Sequence, residues 1–120
     1  MKLEGEQMLL RVHLASGSLT HGRPVYEELV DRARRSGLAG ATVLRGLAGF
    51  VRGGPLLIAH PGSLRDTAAV VVEMVDTAPN LKAFVEQVEP LLRAIPAVVT
   101  TERAHVLIYR SRPPRGHEPR

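Results

Sequence analysis

At 120 residues and 44% hydrophobic content, the chain has material for one domain with a packed core and too little for two. It contains no cysteine, which excludes disulfide staples, thiolate metal sites and cysteine nucleophiles together. The formal charge of +4 is unevenly placed: residues 1–110 carry 13 basic against 11 acidic side chains, and half of the surplus lies in a ten-residue tail where Arg112, Arg115 and Arg120 face only Glu118, so no basic block exists for wholesale binding to a phosphate backbone.

Residues 1–7 carry Glu4 and Glu6 in place of an apolar signal core, and no run approaches 18 apolar residues, so a cytoplasmic protein is expected. Met8, Leu10, Val12 and Leu14 then alternate with Leu9, Arg11 and His13, the period of a strand, which Ser16-Gly-Ser18 breaks. Pro24 suits the first turn of a helix, and Val25, Leu29 and Ala33 form its apolar stripe with Tyr26 and Val30 beside them; Gly37 stops it. Residues 42–46 read as a second strand. It empties into a loop over 51–67 that holds Gly53-Gly54-Pro55 and Pro61-Gly62, and loops of that length mostly bind, cover or disorder.

Residues 68–76 read as the third strand. Pro79 opens a second helix in which Leu81, Phe84, Val85, Val88, Leu92 and Ile95 share one face, and Pro90 predicts a kink or an end near Glu89. Residues 98–101 and 106–110 form the last extended segment, with a bulge expected around Glu102. The domain therefore occupies residues 8–110, and residues 111–120 read as a disordered basic tail.

Strand, helix, strand, strand, helix, strand is the split βαβ order, an α+β ferredoxin-like fold whose four-stranded antiparallel sheet carries both helices on one face. Leu9, Val71, Val75, Leu107 and Tyr109 nevertheless alternate with Leu10, Val70, Val72, Val106 and Ile108, so apolar side chains leave both faces. A sheet with one wet face alternates more cleanly. The second face is expected to be covered by further copies of the chain, the alternative being a moderately apolar surface.

Three segments in this order and spacing resemble a known superfamily: Pro24-Val-Tyr-Glu-Glu-Leu-Val, then Gly40-Ala-Thr-Val-Leu-Arg-Gly with Gly49-Phe50, then Val70-Val-Val-Glu-Met-Val-Asp76 running into Leu81-Lys-Ala-Phe84. They resemble the PII-like signalling proteins and, more closely, the bacterial domain-of-unknown-function family 190 (DUF190). The resemblance spans residues 8–110. It implies a homotrimer with the sheets packed around its axis, and a non-enzymatic regulator related to the nitrogen regulatory proteins. It also implies a small anionic ligand, an adenine nucleotide or another small anion, in the cleft between subunits. The long loop, the T-loop of such proteins, would act on a membrane transporter or an enzyme.

By the same resemblance Arg45 and Gly46 match the basic residue and glycine at the loop base, and Arg110 matches one of the phosphate-facing arginines after the last strand. The chain departs from the pattern at two places. Ile108 stands at the other arginine position, and Ala94-Ile-Pro-Ala97 replaces a glycine-rich, lysine-bearing phosphate loop, which leaves the cleft to a smaller anion or a nucleotide held differently.

Arg45 stands out without the resemblance, because a guanidinium beside Gly46 and Gly49 adjoins backbone that a ligand can approach closely. In the alternative, the glycines shape a strand end and Arg45 is solvated or ion-paired. The expected ligand-binding set is Arg45, Gly46, Gly49, Phe50, Arg52 and Arg110, with His60 and Arg65 in the loop as lid or partner contacts or as solvated charges. No metal site is expected from His13, His21, His60, His105 and His117, none of which is paired at a helical four-residue spacing; His13 and His105 could meet only across neighbouring strands.

Catalytic templates are missing. Gly49-Phe-Val-Arg-Gly-Gly54 lacks the lysine and hydroxyl of a P-loop, there is no Gly-x-Ser-x-Gly elbow, and Glu73 and Asp76 point to opposite faces of their strand. Glu73 is expected to pair instead with an arginine across the sheet. Two other functions remain open from sequence: a small enzyme acting on a phosphate or carboxylate, and a weak nucleic-acid binder using the tail, although only Tyr109 offers the sheet a stacking aromatic.

Overall fold

Alternate residues of the central strands divide the molecule into a packed side and a side without helices. In a computed structural model, residues 3–60, 62 and 67–112 are described. They form β1 (Gly5–Ala15), α1 (Val25–Arg35), β2 (Ala41–Arg45), β3 (Ala69–Asp76), α2 (Ala78–Arg93) and β4 (Val98–Val106). The sheet order is β2-β3-β1-β4 with every pair antiparallel, the ferredoxin-like arrangement expected from sequence.

Leu10, Val12 and Leu14 of β1 and Val70, Val72 and Met74 of β3 point to one face and are buried there. The stripes Val25, Leu29, Ala33 of α1 and Leu81, Phe84, Val88, Leu92 of α2 close over them as a single apolar core. Burial on this face follows the period of two on the strands and of 3.6 on the helices.

The helix ends are set by local chemistry. Gly37 adopts φ +76°, its N–H donates to the Arg34 carbonyl, and the Leu38 N–H donates to the Ala33 carbonyl, the paired bonds that close a helix on a left-handed glycine. Thr77 caps α2, its Oγ1 accepting from the Asn80 N–H at 3.2 Å, with Pro79 in the first turn.

Two expectations are corrected. Helix α2 does not end near Glu89 but runs through Pro90 to Arg93: Pro90 faces solvent, while Val88 and Leu92 on either side of it are buried and hold the helix to the sheet. Strand β4 is a single strand whose register with β1 steps evenly from His13↔Val98 to Gly5↔Val106, with no bulge at Glu102. It ends at Val106 because β1 begins at Gly5 and offers no partner beyond; the Tyr109 N–H turns instead to Glu4 Oε2 at 3.1 Å. Residues 113–120 of the expected tail lie outside the described residues.

Asp76 is fully buried where β3 meets α2. Its carboxylate accepts from the Ala39 N–H at 2.8 Å, the Thr77 N–H at 2.7 Å and Asn80 Nδ2 at 2.8 Å, joining the α1–β2 connection to the start of α2. Asp76→Ala strands three donors in a closed space and is expected to cost about 3 kcal/mol, read as a lower urea midpoint at fixed protein concentration.

On α1, the hydrogen bond from Arg32 at 2.7 Å, with the charges of Arg23 and Arg35, holds the Glu28 carboxyl below the usual carboxylate range. Because the folded state keeps the charged form, this contribution is complete above the unfolded carboxyl value and is lost as pH falls through the lower folded one. Thermal melts should show a shallower acid decline in Glu28→Gln than in the parent.

Candidate functional site at the base of the β2–β3 connection

Gly46 marks where β2 leaves the sheet. Its N–H donates to the Ala69 carbonyl at 2.7 Å, and the chain then folds back on itself, Ala48–Gly49 pairing with Leu57–Ile58 and the Ala59 N–H closing on the Leu47 carbonyl at 2.8 Å. The Gly54 N–H reaches the Val51 carbonyl at 2.8 Å with Gly53 at φ +90°, a turn that needs glycine at its third position. The first half of the long loop is thus a hairpin arm with its own ladder.

Two glycines let this arm lie close to β3. A Cβ on Gly46 would stand 3.1 Å from the Ala69 carbonyl oxygen and one on Gly49 would stand 3.0 Å from the Ala69 Cβ, whereas one on Gly54 would meet the Pro96 Cβ at an ordinary 3.5 Å. The arm therefore rests on β3 at one end and on the α2–β4 turn at the other. Between arm and sheet lies a cleft of about 240 Å³. Glycine backbone, Phe50, Val51, Pro55 and Leu57 form its outer wall; Ala15, Val71 and Pro96 form much of the inner one. Among the lining residues only His13 and Ser18 carry polar side chains. Such a wall suits a flat or apolar group laid against backbone, with polar recognition confined to the β1 end.

Of the residues expected from sequence, Gly46, Gly49 and Phe50 line this cleft. Arg45 is the exposed last residue of β2, and Arg52 is exposed in the arm's turn; neither lines it. His60 is exposed, and Arg65 lies outside the described residues. Arg110 sits past the far end of β4, separated from the cleft within one chain by the 11-residue length of β1, about 33 Å at 3.3 Å per residue. His13 and Pro96 went unselected as ligand residues, and only the register that sets them under the arm reveals them.

His13 and His105 do not meet. His13 pairs with Val98 at one end of the sheet and His105 with Glu6 at the other, and no cluster of three metal-ligating side chains occurs among the described residues. Glu73 and Asp76 do face opposite sides.

The helix-free face can be read in rows from the strand register. Leu44, Val71, His13 and Val98 form one row; Thr42, Glu73, Arg11 and Thr100 form the next; Val75, Leu9 and Glu102 follow. Arg11 Nε donates to Glu73 Oε2 at 2.7 Å, the cross-sheet pair expected from sequence, and Arg11 also binds Glu102; these hydrogen bonds raise the arginine above its usual value. Leu44 and Val98 remain about half exposed, and the arm shows Leu47 at 85% and Phe50 at 70% exposure.

With this geometry in view, comparison with known proteins places the sequence. The DUF190 family, described as an uncharacterized ACR, matches residues 7–106. The chain belongs to the DUF190 family. A UPF0166 protein of Aquifex aeolicus is 33% identical over 84 residues, covering 70% of this chain and 80% of the relative. Among solved structures, CPII of Thiomonas intermedia, a nitrogen regulatory PII-like protein bound to ADP, AMP and bicarbonate, superposes with a TM-score of 0.66 at 21% identity, covering 88% of this chain and 91% of that one. A PII-like signalling protein of Thermus thermophilus gives 0.62 at 15% identity, with 89% and 94% covered. At these identities the likeness establishes that this DUF190 chain has the PII-like fold. No helix among the described residues is long and apolar enough to cross a membrane.

The close approach of Gly46 to β3 yields a direct test. Gly46→Ala presses a methyl on a backbone oxygen that cannot swing aside, and is expected to cost about 1–3 kcal/mol. Hydrogen exchange should accelerate at the Ala59 amide of the arm while the Leu10 and Val72 amides of the central strands stay protected.

Proposed function

We propose that this protein is a non-enzymatic PII-like regulator that binds a small anionic ligand at a cleft between subunits of a homotrimer and acts on a partner through the loop over 51–67. The observation that carries the reading is the cleft under the arm: a ligand seated there touches Gly46, Gly49 and Phe50 directly, so its occupancy bears on the segment that reaches outward. An arm ordered or released by a ligand is a known form of switch.

Three further features support it. The PII-like neighbour from Thiomonas carries ADP, AMP and bicarbonate, which makes an adenine nucleotide or a small oxyanion the first ligand class to test. The apolar rows of the helix-free face, half exposed at Leu44 and Val98 and partly exposed at Leu9, Val71 and Val75, suit burial against further copies. Within one chain the lining contains no arginine, so further positive charge would come from Arg45 at the end of β2 and Arg52 of the arm closing in, or from Arg110 of a neighbouring copy.

Native mass spectrometry of the purified protein is expected to give three times the 13.0 kDa chain mass. ADP, AMP or bicarbonate should raise the melting temperature, and Arg45→Ala should lose that rise while remaining trimeric. A monomer indifferent to all three ligands would overturn the reading, and turnover of a phosphate or carboxylate ester would move it to an enzyme.

A further inference from the structure

The two histidines on the sheet stand in different surroundings. His105 faces the Glu6 carboxylate at 2.6 Å, whereas His13 has no hydrogen-bond or ion-pair partner among the described residues. Its cross-strand neighbours are Val71 on β3 and Val98 on β4. The charges in the adjoining rows of this face are Arg11 on its own strand, Glu73 on β3 and Glu102 on β4, and Arg11 pairs with both carboxylates. The arm and Pro96, which complete the walls around it, bring no titratable side chain to the lining.

We propose that His13 recognises the oxyanion of the cleft's ligand, a phosphate or carboxylate group, through its protonated imidazole, so that binding tightens as pH falls through the histidine range. The inference rests on the cleft being the ligand site. Among the lining side chains the unpartnered imidazole is the one that can bear a positive charge, and it engages an anion without breaking an existing bond. Apolar walls strengthen a charge-assisted hydrogen bond that water would weaken. Ser18, the other polar side chain of the lining, is a neutral donor and confers no dependence on pH.

Calorimetric titration of ADP, inorganic phosphate and acetate at pH 6 and pH 8 tests this. Acetate does not titrate in that window, and for the two phosphates the quantity read is the difference between parent and variant. The parent should bind at least one probe roughly tenfold more tightly at pH 6. His13→Gln should flatten that dependence, Ser18→Ala should keep it, and native mass spectrometry should find the same subunit number in both. His13→Asn replaces His13→Gln if the latter does not fold. Binding of ADP alone would assign the oxyanion to a nucleotide, and binding of phosphate or acetate to a free anion. A pH dependence surviving in His13→Gln, or absent from the parent, overturns the role of His13 and leaves the cleft standing. Failure of all three probes at both pH values overturns the cleft as well.

Discussion

The strict alternation of β1 and β3 is the constraint on which the rest depends. Leu10, Val12 and Leu14 of β1 and Val70, Val72 and Met74 of β3 enter the helix-covered core and leave no freedom in register, since a slip of one residue would drive Arg11 and Glu73 into the space filled by Leu10, Val12 and Met74. With that register fixed, the other face inherits its pattern without further choice. His13 falls between two valines, and Arg11 falls opposite Glu73. The ion pair and the lone imidazole are consequences of the same alternation that builds the core.

The arm over β3 depends on that sheet in a second way. Ala69 is the first residue of β3 and also the surface against which Gly46 and Gly49 lie, so a small side chain on one strand and missing side chains on the other set how closely the hairpin approaches. The closeness that leaves no room for a Cβ also brings bare backbone to the wall of the cleft. The packing reading and the binding reading of these glycines are therefore two descriptions of one geometry.

Element type and order were legible because each strand and helix carries its own period and stop: Gly37 past α1, Pro79 opening α2, Ser16-Gly-Ser18 after β1. The errors came where tertiary support decides. Pro90 reads as a breaker in isolation, yet the burial of Val88 and Leu92 carries α2 past it. Residues 107–110 look like strand, but the extent of β4 is set by where β1 begins. Of the residues that line the cleft, the expected set includes Gly46, Gly49 and Phe50, which are local to the loop, but not His13 and Pro96. Those two lie 33 and 50 residues from Gly46, and their place beneath the arm exists only once β1, β3 and the α2–β4 turn are assembled.

The polar row across the helix-free face also limits what can cover it. Arg11 with Glu73 and Glu102 separates the apolar row of Leu44, Val71 and Val98 from that of Leu9 and Val75. A flat apolar surface would accept many orientations of a covering layer, whereas a row of ions between two apolar strips penalises any orientation that leaves a carboxylate dry and unpaired. That row therefore gives up apolar area on this face and in return restricts the orientation of any layer laid over it. His13 lies in the strip between this row and the cleft, so whatever seals the face fixes the floor of the cleft at the same time.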